Sequence, residues 1–520
     1  MSSPQVIHAR NNWGLKLPSG KDQNPLPAAA EISPPEELTI LLKQSPGGIS
    51  VPMVKVGQKV FKGQKIAAPA RNTFGSFLHA PVSGTVTSII EANDSAHIKR
   101  AIIIANDGLD NVHDDCTPIS NPFKRSPRFI RKHIAEGGIV GLGGAMFPAA
   151  IKLNPAPGIK TLLINGVECE PYINCDNQLL QQYPERVLSG TRLMLHVLGA
   201  EEAVIAIEQD MVHALITMQA ATDALNDPRI RVVSVPDVYP AGGERQLIEI
   251  ITGLEVPHGG LPADLGVICQ NAGTAAAIDQ WINFGEPLIS RMVTVCGNAT
   301  AAAQNFVVRI GTPIDAIVNR LQATDVSRVI IGGSMMGVTA DDTAEPISKA
   351  SNCIILSSGD NFSPAPEEMP CIRCGDCVPV CPARINPQLL LESMSTNNTQ
   401  QSESLGALDC IDCGCCDYVC PSGIDLTARF KVAKQTIWEQ HLLAMRAERS
   451  QQRFADHEMR WLTASNEERE TLDAQTAAFH DVKANNSKSA LDDMLKRLNS
   501  SKQDDGTLKD EPRKNDEADQ

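Results

Sequence analysis

Two short stretches decide the fold of the C-terminal part of the chain: CIRCGDCVPVCP at residues 371–382 and CIDCGCCDYVCP at residues 410–421. Both contain the spacing C-x2-C-x2-C-x3-C-P, and each cysteine of the second motif lies 39 residues after its counterpart in the first. Together they hold nine of the 15 cysteines of the chain. Without a secretory signal, such clustered thiols favour metal binding or redox chemistry over disulfides.

The spacing of these cysteines is typical of two-cluster ferredoxins, in which the fourth cysteine of each motif ligates the other cluster. It therefore predicts two [4Fe-4S] clusters. One is expected to be held by Cys371, Cys374, Cys377 and Cys420, and the other by Cys381, Cys410, Cys413 and Cys416. The alternative, structural zinc, normally uses paired C-x2-C knuckles. Cys415 breaks the spacing and is expected to be a bystander thiol.

The composition of the chain excludes several classes of protein. Its 520 residues are 42% hydrophobic and 21% charged, which is ordinary for several globular domains. A formal net charge of -15 argues against nucleic acid as a partner. No apolar run approaches the ~18 residues that span a membrane, and the N-terminal sequence lacks the features of a secretory signal. We therefore expect a cytosolic protein without direct membrane insertion.

The rest of the chain is expected to make this a multidomain α/β protein. The stretches 47–69 and 79–90 contain short alternating strands punctuated by glycines, and they resemble the barrel-sandwich domains of lipoyl and biotinyl carriers. Thr73 stands where a carrier has its modified lysine, which indicates a structural relative rather than a carrier. From about 125 to 290, strand-like and helical runs alternate and predict a parallel α/β sheet.

Seven segments are predicted in chain order. They are a loose N-terminal arm, a barrel-sandwich-like β domain, the α/β domain, a small β-grasp-type (SLBB) module, a helical two-cluster ferredoxin-type domain, a helical extension and a disordered acidic tail. The tail is polar and poor in aromatic residues, which is typical of disorder. The expected bounds are 1–35, 36–120, 121–290, 291–350, 365–430, 431–484 and 485–520.

A glycine-rich stretch, GGIVGLGGAMFPAAIKL at 137–153, precedes the strand-like run KTLLIN. Glycines at this density let the backbone approach a phosphate or a flavin ring closely, with N–H groups free to bind anions. Alone, such a loop could equally be a tight turn.

Its neighbours carry a resemblance to a known family. The motifs GLGGAMFPAAIKL, LLINGVECEPYINCD (162–176), YPAGGERQLI (239–248) and VICQNAGTAAAI (267–278), followed by the two cysteine motifs, look like the RnfC component of the Rnf electron-transport complex, called Rsx in some bacteria. That component is similar to the flavin- and NADH-binding subunit of respiratory complex I. The resemblance covers residues 35–440 and implies that the α/β domain is a Rossmann-like domain that binds FMN and NADH.

The resemblance also implies roles for residues of these motifs. Glycines of the loop would cradle noncovalent FMN, Lys152 would serve its phosphate, and four polar residues would add contacts to the flavin. Phe147 would stack on a nicotinamide or adenine ring, and acidic residues would bind ribose hydroxyls or polar edges, which favours NADH over NADPH. The implied cofactor-binding residues are Gly141, Gly143, Gly144, Lys152, Asn165, Glu168, Gln270, Asn271 and Thr274, and the implied catalytic residues are Phe147, Glu170 and Glu244.

Plain alternatives exist for these residues, and the sequence departs from the family at three positions. The three glutamates could be solvated surface charges, Phe147 could be core packing, and Asn271 could be a turn former. Met146 stands where the family has Gly, Val167 where the complex I relative has Asp, and Ser334 where the family usually has Pro.

The function implied is that of a peripheral subunit on the cytoplasmic face of the bacterial inner membrane. Electrons would pass between NAD(H) and ferredoxin-type carriers through FMN and the two clusters, coupled to ion movement through integral-membrane subunits. The partners implied are those integral-membrane subunits and ferredoxin-like subunits of the same complex. Three alternatives stay open: a soluble flavin and iron-sulfur NADH oxidoreductase subunit, a docking subunit that only conducts electrons, and a reductase module for a redox-sensing regulator.

Overall fold

The computed structural model describes residues 4–7, 12–21, 26–90, 100–359, 367–484 and 488–504. The chain forms two compact units, Met1–Gln435 and Thr436–Gln520. The first unit contains the sheets and the cysteine motifs, and the second is helical where the structure describes it.

The strands of the described residues are numbered in chain order. They are β1 (Gln5–Val6), β2 (Ala30–Glu31), β3 (Glu37–Leu41), β4 (Val51–Pro52), β5 (Lys59–Val60), β6 (Lys65–Ala68), β7 (Leu78–His79), β8 (Gly84–Ile90), β9 (Ala101–Asn106), β10 (Thr161–Gly166), β11 (Glu202–Glu208), β12 (Ile230–Val235), β13 (Val267–Asn271), β14 (Ser290–Cys296), β15 (Gln304–Arg309), β16 (Val326–Ile331), β17 (Val338–Thr339) and β18 (Cys353–Ser358).

The α-helices are numbered in the same way. They are α1 (Pro127–Glu136), α2 (Ala149–Lys152), α3 (Cys175–Gln182), α4 (Pro184–Leu198), α5 (Val212–Leu225), α6 (Glu244–Thr252), α7 (Ala272–Phe284), α8 (Ile314–Leu321), α9 (Pro387–Ser395), α10 (Thr399–Ser404), α11 (Cys415–Tyr418), α12 (Leu426–Ala484) and α13 (Lys488–Asp504).

The segment predicted as a barrel-sandwich domain contains two small antiparallel sheets. Their strand orders are β3-β9-β8-β5 and β4-β6-β7. In β3 the side chains alternate, with Leu38 and Ile40 buried, because successive residues of a strand point to opposite faces. Leu38 and Ile40 join Ile66, Ile102 and Ile104 in one apolar core. The turn that holds Thr73 lies between β6 and β7.

The predicted parallel sheet has the strand order β1-β12-β11-β10-β13. Strands β10 to β12 follow one another outward, whereas β13 lies on the other side of β10. At such a reversal of strand order the chain leaves the two adjacent strands in opposite directions, which opens a crevice at their carboxyl ends. Asn165 of β10 and Asn271 of β13 are register partners at that edge.

The region predicted as a small β-grasp-type module forms a mixed sheet of order β17-β16-β18-β14-β15-β2. Ile314 and Ile317 of α8 pack into its apolar core. The sheet extends past the expected end of the module at residue 350, since β18 is a central strand, and it also takes in β2 from the N-terminal stretch. Its assignment as a β-grasp stays a prediction.

The N-terminal stretch differs from the loose arm that we expected, in those parts of residues 1–35 that the structure describes. Strand β1 extends the parallel sheet by pairing with β12. Leu15 forms a bridge with Tyr239, and Trp13 is 5% exposed. These short segments gain order from the sheets that they join, because a two-residue strand has no stability of its own.

The C-terminal unit is helical, as expected for residues 431–484. The predicted disordered tail is wrong for Lys488–Asp504, which forms α13, and residues 505–520 lie outside the described residues. Leu491, Leu495 and Leu498 recur at helical spacing in α13, a pattern that the acidic composition of the tail obscured. Of the helices that the structure describes, none is both long and apolar enough to cross a membrane.

Candidate functional site

The glycine-rich loop after α1 is closed by its own backbone. Gly141 N–H donates to Phe147 O at 2.8 Å, and Met146 N–H donates to Gly141 O at 3.2 Å. The tip between them is exposed and includes Gly143 and Gly144, the latter with φ of +100°. This conformation, which glycine adopts readily, leaves an exposed loop tip with no side chain at Gly143 and Gly144 and only a methyl group at Ala145.

Met146 has a φ of +51°, in the left-handed region that favours glycine. This explains why a glycine suits the position in the family pattern. The side chain is half-buried and packs against the main apolar core rather than standing free at the loop tip. Met146 therefore strains the backbone without filling the exposed face of the loop.

Residues at the start of α7 hold the loop in place. Thr274 Oγ1 accepts from Leu142 N–H at 2.9 Å. Asn271 Oδ1 accepts from Gly273 N–H at 2.8 Å and so caps the helix. A Cβ added to Gly143 would lie 3.5 Å from Asn271 Cβ, so glycine keeps open the gap between the loop tip and the helix. The amino end of a helix attracts anions, which suits a phosphate.

The two other polar residues predicted at the strand ends differ in their hydrogen bonding. Asn165 uses both ends of its amide within the protein: its Nδ2 donates to Gly242 O at 2.8 Å, and its Oδ1 accepts from Val167 N–H at 3.0 Å. Gln270 is 3% exposed, and its Nε2 has no hydrogen-bond partner in the described part of the chain. A buried donor without a partner is costly, so this site fits a ligand with acceptor atoms, such as a flavin ring.

Lys152 and Glu244 lie together at this site. Lys152 ends α2, Glu244 begins α6, and Lys152 Nζ is 2.7 Å from Glu244 Oε1. Both side chains keep some exposure, at 25% and 38%. The cation predicted to serve a phosphate is thus present near the loop and is paired with a predicted catalytic carboxylate.

The carboxylate of Glu168 accepts hydrogen bonds from the start of α3. Its Oε1 accepts from Asp176 N–H at 2.9 Å and its Oε2 from Asn177 N–H at 3.1 Å, which satisfies donors in the first turn of that helix. The predicted cofactor role of this residue therefore competes with a capping role. The capping role could not be foreseen from the sequence, because it depends on how the chain turns between residues 168 and 175.

Asp176 is a site residue that sequence reasoning missed. Asn271 Nδ2 donates to Asp176 Oδ2 at 2.5 Å, which brings the carboxyl to the edge where the loop and α7 meet. Burial, and then the neighbouring Glu168 carboxylate, raise the pKa of Asp176 to about 7. The signal that could have found it is its position as the last residue of LLINGVECEPYINCD, one of the motifs that carry the family resemblance.

Glu170 faces a loop of the neighbouring mixed sheet. Its Oε1 accepts from Met335 N–H at 2.6 Å and from Met336 N–H at 3.1 Å. Burial raises the pKa of Glu170. This carboxyl thus anchors the loop that contains Ser334, the third departure from the family pattern.

Phe147 lies beside an aromatic ring of another domain. Its ring centroid is 5.8 Å from that of Phe74, in the turn between β6 and β7. Phe147 is half-buried.

The structure brings together the four cysteines predicted for one cluster. Cys381 from the first motif and Cys410, Cys413 and Cys416 from the second all line one cavity. Cys415 lines the same cavity and is fully buried. Cys381 therefore lies with the cysteines of the second motif, and its role as a crossed cluster ligand stays a prediction.

The other predicted set lies nearer the surface. Cys371 and Cys374 are exposed, and Cys377 and Cys420 are half-buried. The segments that carry Cys371 and Cys420 are joined where Ser422 Oγ donates to Pro370 O at 3.1 Å.

Direct contacts join the α/β domain to the cysteine motifs. Tyr239 is 3% exposed, and its Oη donates to Cys413 O at 2.6 Å. Tyr239, Cys413 and Cys415 form an apolar cluster against which Leu15 and Met335 also pack. Arg245 and Asp409 add an ion pair at 3.4 Å across the same boundary. The predicted flavin site and the cysteines that line the cavity therefore belong to one packed unit.

Three family models match the chain in an order that follows these domains. They are the RnfC barrel sandwich hybrid domain over residues 10–109, the Nuo51 FMN-binding domain over 134–280 and a 4Fe-4S dicluster domain over 370–424. A crystal structure of an NAD+-reducing [NiFe]-hydrogenase in the air-oxidized state is 19% identical at a TM-score of 0.42, covering 55% of this chain and 56% of that chain. An overlap that low supports no argument about function.

Curated relatives match most of this chain. The C subunit of the ion-translocating oxidoreductase complex of Pseudomonas aeruginosa is 40% identical over 455 residues, which cover 86% of this chain and 58% of that relative. The corresponding C subunit of Actinobacillus succinogenes is 36% identical over 458 residues, covering 86% of this chain and 64% of the relative. The chain thus spans less than two thirds of the length of these relatives. With these relatives and these three domains, the chain belongs to the family of RnfC-type C subunits of ion-translocating oxidoreductase complexes, and it carries an FMN-binding domain and a 4Fe-4S dicluster domain.

Proposed function

We propose that this chain passes electrons between NAD(H) and ferredoxin-type carriers through FMN and two [4Fe-4S] clusters. The observation that carries the proposal is the hydrogen bond from Tyr239 Oη to Cys413 O, because it joins the FMN-binding domain to a predicted cluster ligand. Bound FMN accepts both electrons of a hydride and releases them one at a time, as iron-sulfur clusters require.

The glycine loop and the strand ends are proposed to hold the FMN. Backbone N–H groups of Gly143 and Gly144 and the amino end of α7 would face anionic oxygens, and Lys152 would add a charge for the phosphate. Gln270 Nε2 would donate to an acceptor of the ring. The support for this assignment is the exposed loop tip, the absence of a side chain at Gly143 beside Asn271, and the Gln270 donor, which has no partner among the residues that the structure describes.

The dinucleotide is proposed to lie beside Phe147. Its ring would stack on nicotinamide or adenine, and Glu170 and Glu244 would meet polar groups of the ligand. Acidic residues near a ribose disfavour a 2′-phosphate, so NADH is proposed as the partner rather than NADPH.

The cluster ligands are proposed as the two crossed sets. Cys381, Cys410, Cys413 and Cys416 would hold the buried cluster nearest the α/β domain, which their shared cavity supports. Cys371, Cys374, Cys377 and Cys420 would hold the second cluster. The exposure of Cys371 and Cys374 supports placing that cluster at the exit toward the next carrier.

We place the chain in a membrane-bound complex that couples electron transfer to ion translocation. The support is the name shared by its relatives, which are C subunits of ion-translocating oxidoreductase complexes. The chain would be a peripheral subunit on the cytoplasmic face, attached through integral-membrane and ferredoxin-like subunits rather than through lipid.

The test is a visible spectrum of the anaerobically purified chain, reconstituted with excess FMN, before and after addition of NADH. We expect absorbance of flavin and of [4Fe-4S] clusters, and bleaching of both by NADH. A chain that retains no flavin and whose clusters do not respond to NADH is instead the docking subunit that only conducts electrons. Copurification with hydrophobic subunits separates the proposed complex from a soluble oxidoreductase.

A further inference from the structure

The turn between β6 and β7, in the barrel-sandwich domain, presents an aromatic ring to the glycine loop. Phe74 lies in this turn and is 57% exposed. Its ring is tilted by 42° to that of Phe147, at a centroid distance of 5.8 Å. Since the rings are tilted and Phe74 is more than half exposed, the pair is an open V rather than a closed stack.

Two sets of contacts fix Phe74 independently of the ring pair. The backbone of Gly47 lies against that of Phe74, since a Cβ added to Gly47 would be 2.4 Å from Phe74 Cβ. Just before the strand that follows, Lys349 Nζ donates to Phe77 O at 2.9 Å and also to Gly138 O at 2.7 Å. Lys349 is 1% exposed, so this clamp between the turn and the start of the glycine loop is shielded from water.

We propose that Phe74 is a binding residue of the dinucleotide site, where its ring and that of Phe147 together hold one aromatic ring of the dinucleotide. The inference rests on the proposed function, because it needs a dinucleotide at Phe147. A flat heteroaromatic ring pairs well with aromatic faces at centroid distances of about 4.5–7 Å in offset or tilted geometry. With their centroids 5.8 Å apart, the two rings leave no room for a third ring between them, so the ligand ring would lie across the exposed side of the pair and touch both. The clamp holds Phe74 at a set distance from the loop.

The alternative is that Phe74 only packs one domain on another. The experiment is calorimetric titration of the FMN-loaded chain with NAD+, which cannot reduce the oxidised flavin. The variants are Phe74→Ala and Phe74→Tyr, and the control is Phe61→Ala. Phe61 is a similarly exposed aromatic residue of the same domain, at 47%, whose ring neighbour is His113 rather than Phe147.

We expect Phe74→Ala to raise the Kd for NAD+ about five- to twentyfold, with FMN content unchanged. Phe74→Tyr, which keeps the ring, should stay within about twofold of the wild type, and so should Phe61→Ala. In turnover with NADH, Phe74→Ala should raise KM while kcat stays near the wild-type value, because the flavin and clusters are untouched.

Equal NAD+ affinity in the wild type and Phe74→Ala overturns the inference, and so does an equal loss of affinity in Phe61→Ala. If only the proposed function fails, the result is a different one. NAD+ then binds with the expected dependence on Phe74, but addition of NADH leaves the clusters oxidised. A wild-type chain that binds no NAD+ overturns both.

Discussion

Glu244 competes with the proposed phosphate for Lys152, because Lys152 Nζ already lies 2.7 Å from Glu244 Oε1. Lys152→Ala should weaken FMN binding by about 1.5–3 kcal/mol, a ten- to hundredfold loss, because a charge-assisted contact disappears. Glu244→Gln should keep or strengthen FMN binding, since it frees the lysine. Titration of each apoprotein with FMN, followed by flavin fluorescence, measures both effects. Wild-type affinity in Lys152→Ala would remove this residue from the site.

His79 makes the stability of the chain depend on pH. Burial, followed by repulsion from Lys349 and Lys65, lowers the pKa of His79 to about 3. Below pH 6.5 the imidazole of His79 therefore becomes protonated in the unfolded chain, whereas it stays neutral in the folded chain. The free energy of unfolding should fall as the pH falls through this window, by up to about 1.4 kcal/mol per pH unit.

His79→Gln should flatten this dependence. The measurement is the thermal midpoint by circular dichroism at pH 7, 6 and 5, with His480→Gln as the control because His480 is exposed on α12. Equal slopes for wild type and His79→Gln would contradict the assignment.

The positions of single site residues were predictable where residues close in sequence determine them. Asn271 and Thr274 lie at the loop, since a cap and its helix are neighbours in sequence, and the flavin contacts that the resemblance implied for them stay a prediction. The left-handed backbone of Met146 accounts for the glycine of the family pattern. Phe74 was not predictable as a site residue, because its place beside Phe147 depends on how two domains meet.

At the scale of elements, the two clusters are predicted to depend on a crossover of cysteine ligands between two short segments. Cys381→Ser should destroy the cluster otherwise held by the second motif and lower the iron content from about eight to about four per chain. Cys415→Ser is the matched control, since Cys415 lines the same cavity but breaks the ligand spacing. Iron and acid-labile sulfide analysis measures both. A full complement of iron in Cys381→Ser, or only stoichiometric zinc in the wild type, would contradict the ligand assignment.

The start of α3 offers a second prediction for an element. Glu168→Gln should lower the free energy of unfolding by about 1–2 kcal/mol, because the two carboxylate oxygens that satisfy the first turn become one acceptor. Glu185→Gln, exposed in the first turn of α4, should change it by less than about 0.5 kcal/mol. Chemical denaturation measures the difference. An unchanged stability with weaker dinucleotide binding would instead favour the cofactor role.

Elements were predictable where their pattern is long and their partners are local. The alternation of strands and helices predicted the parallel sheet, because a buried strand between helices shows in the hydrophobic pattern. Strands β1 and β2 are two residues long and pair with strands far along the chain, so no local pattern could reveal them. Helix α13 was missed because the composition of the tail outweighed its leucine spacing.

At the scale of the whole chain, the barrel-sandwich domain, the α/β domain, the mixed sheet and the cysteine motifs are joined by hydrogen bonds along the proposed path of the electrons. The barrel-sandwich turn, the glycine loop and the mixed sheet are tied together by Lys349. Tyr239 and Glu170 then link the α/β domain to Cys413 and to the loop at Met335. Because these hydrogen bonds are buried or partly buried and hold the domains together, we expect electrons to pass from the flavin to the clusters within a single chain.

The most direct test is rapid mixing of the FMN-loaded, cluster-replete chain with NADH under anaerobic conditions, followed at several protein concentrations. Flavin bleaching should come first, and the bleaching of the clusters should follow at a rate that does not change with protein concentration, as an intramolecular step requires. A cluster-reduction rate that rises in proportion to protein concentration, or a flavin that is reduced while the clusters stay oxidised, would contradict a continuous path through one chain.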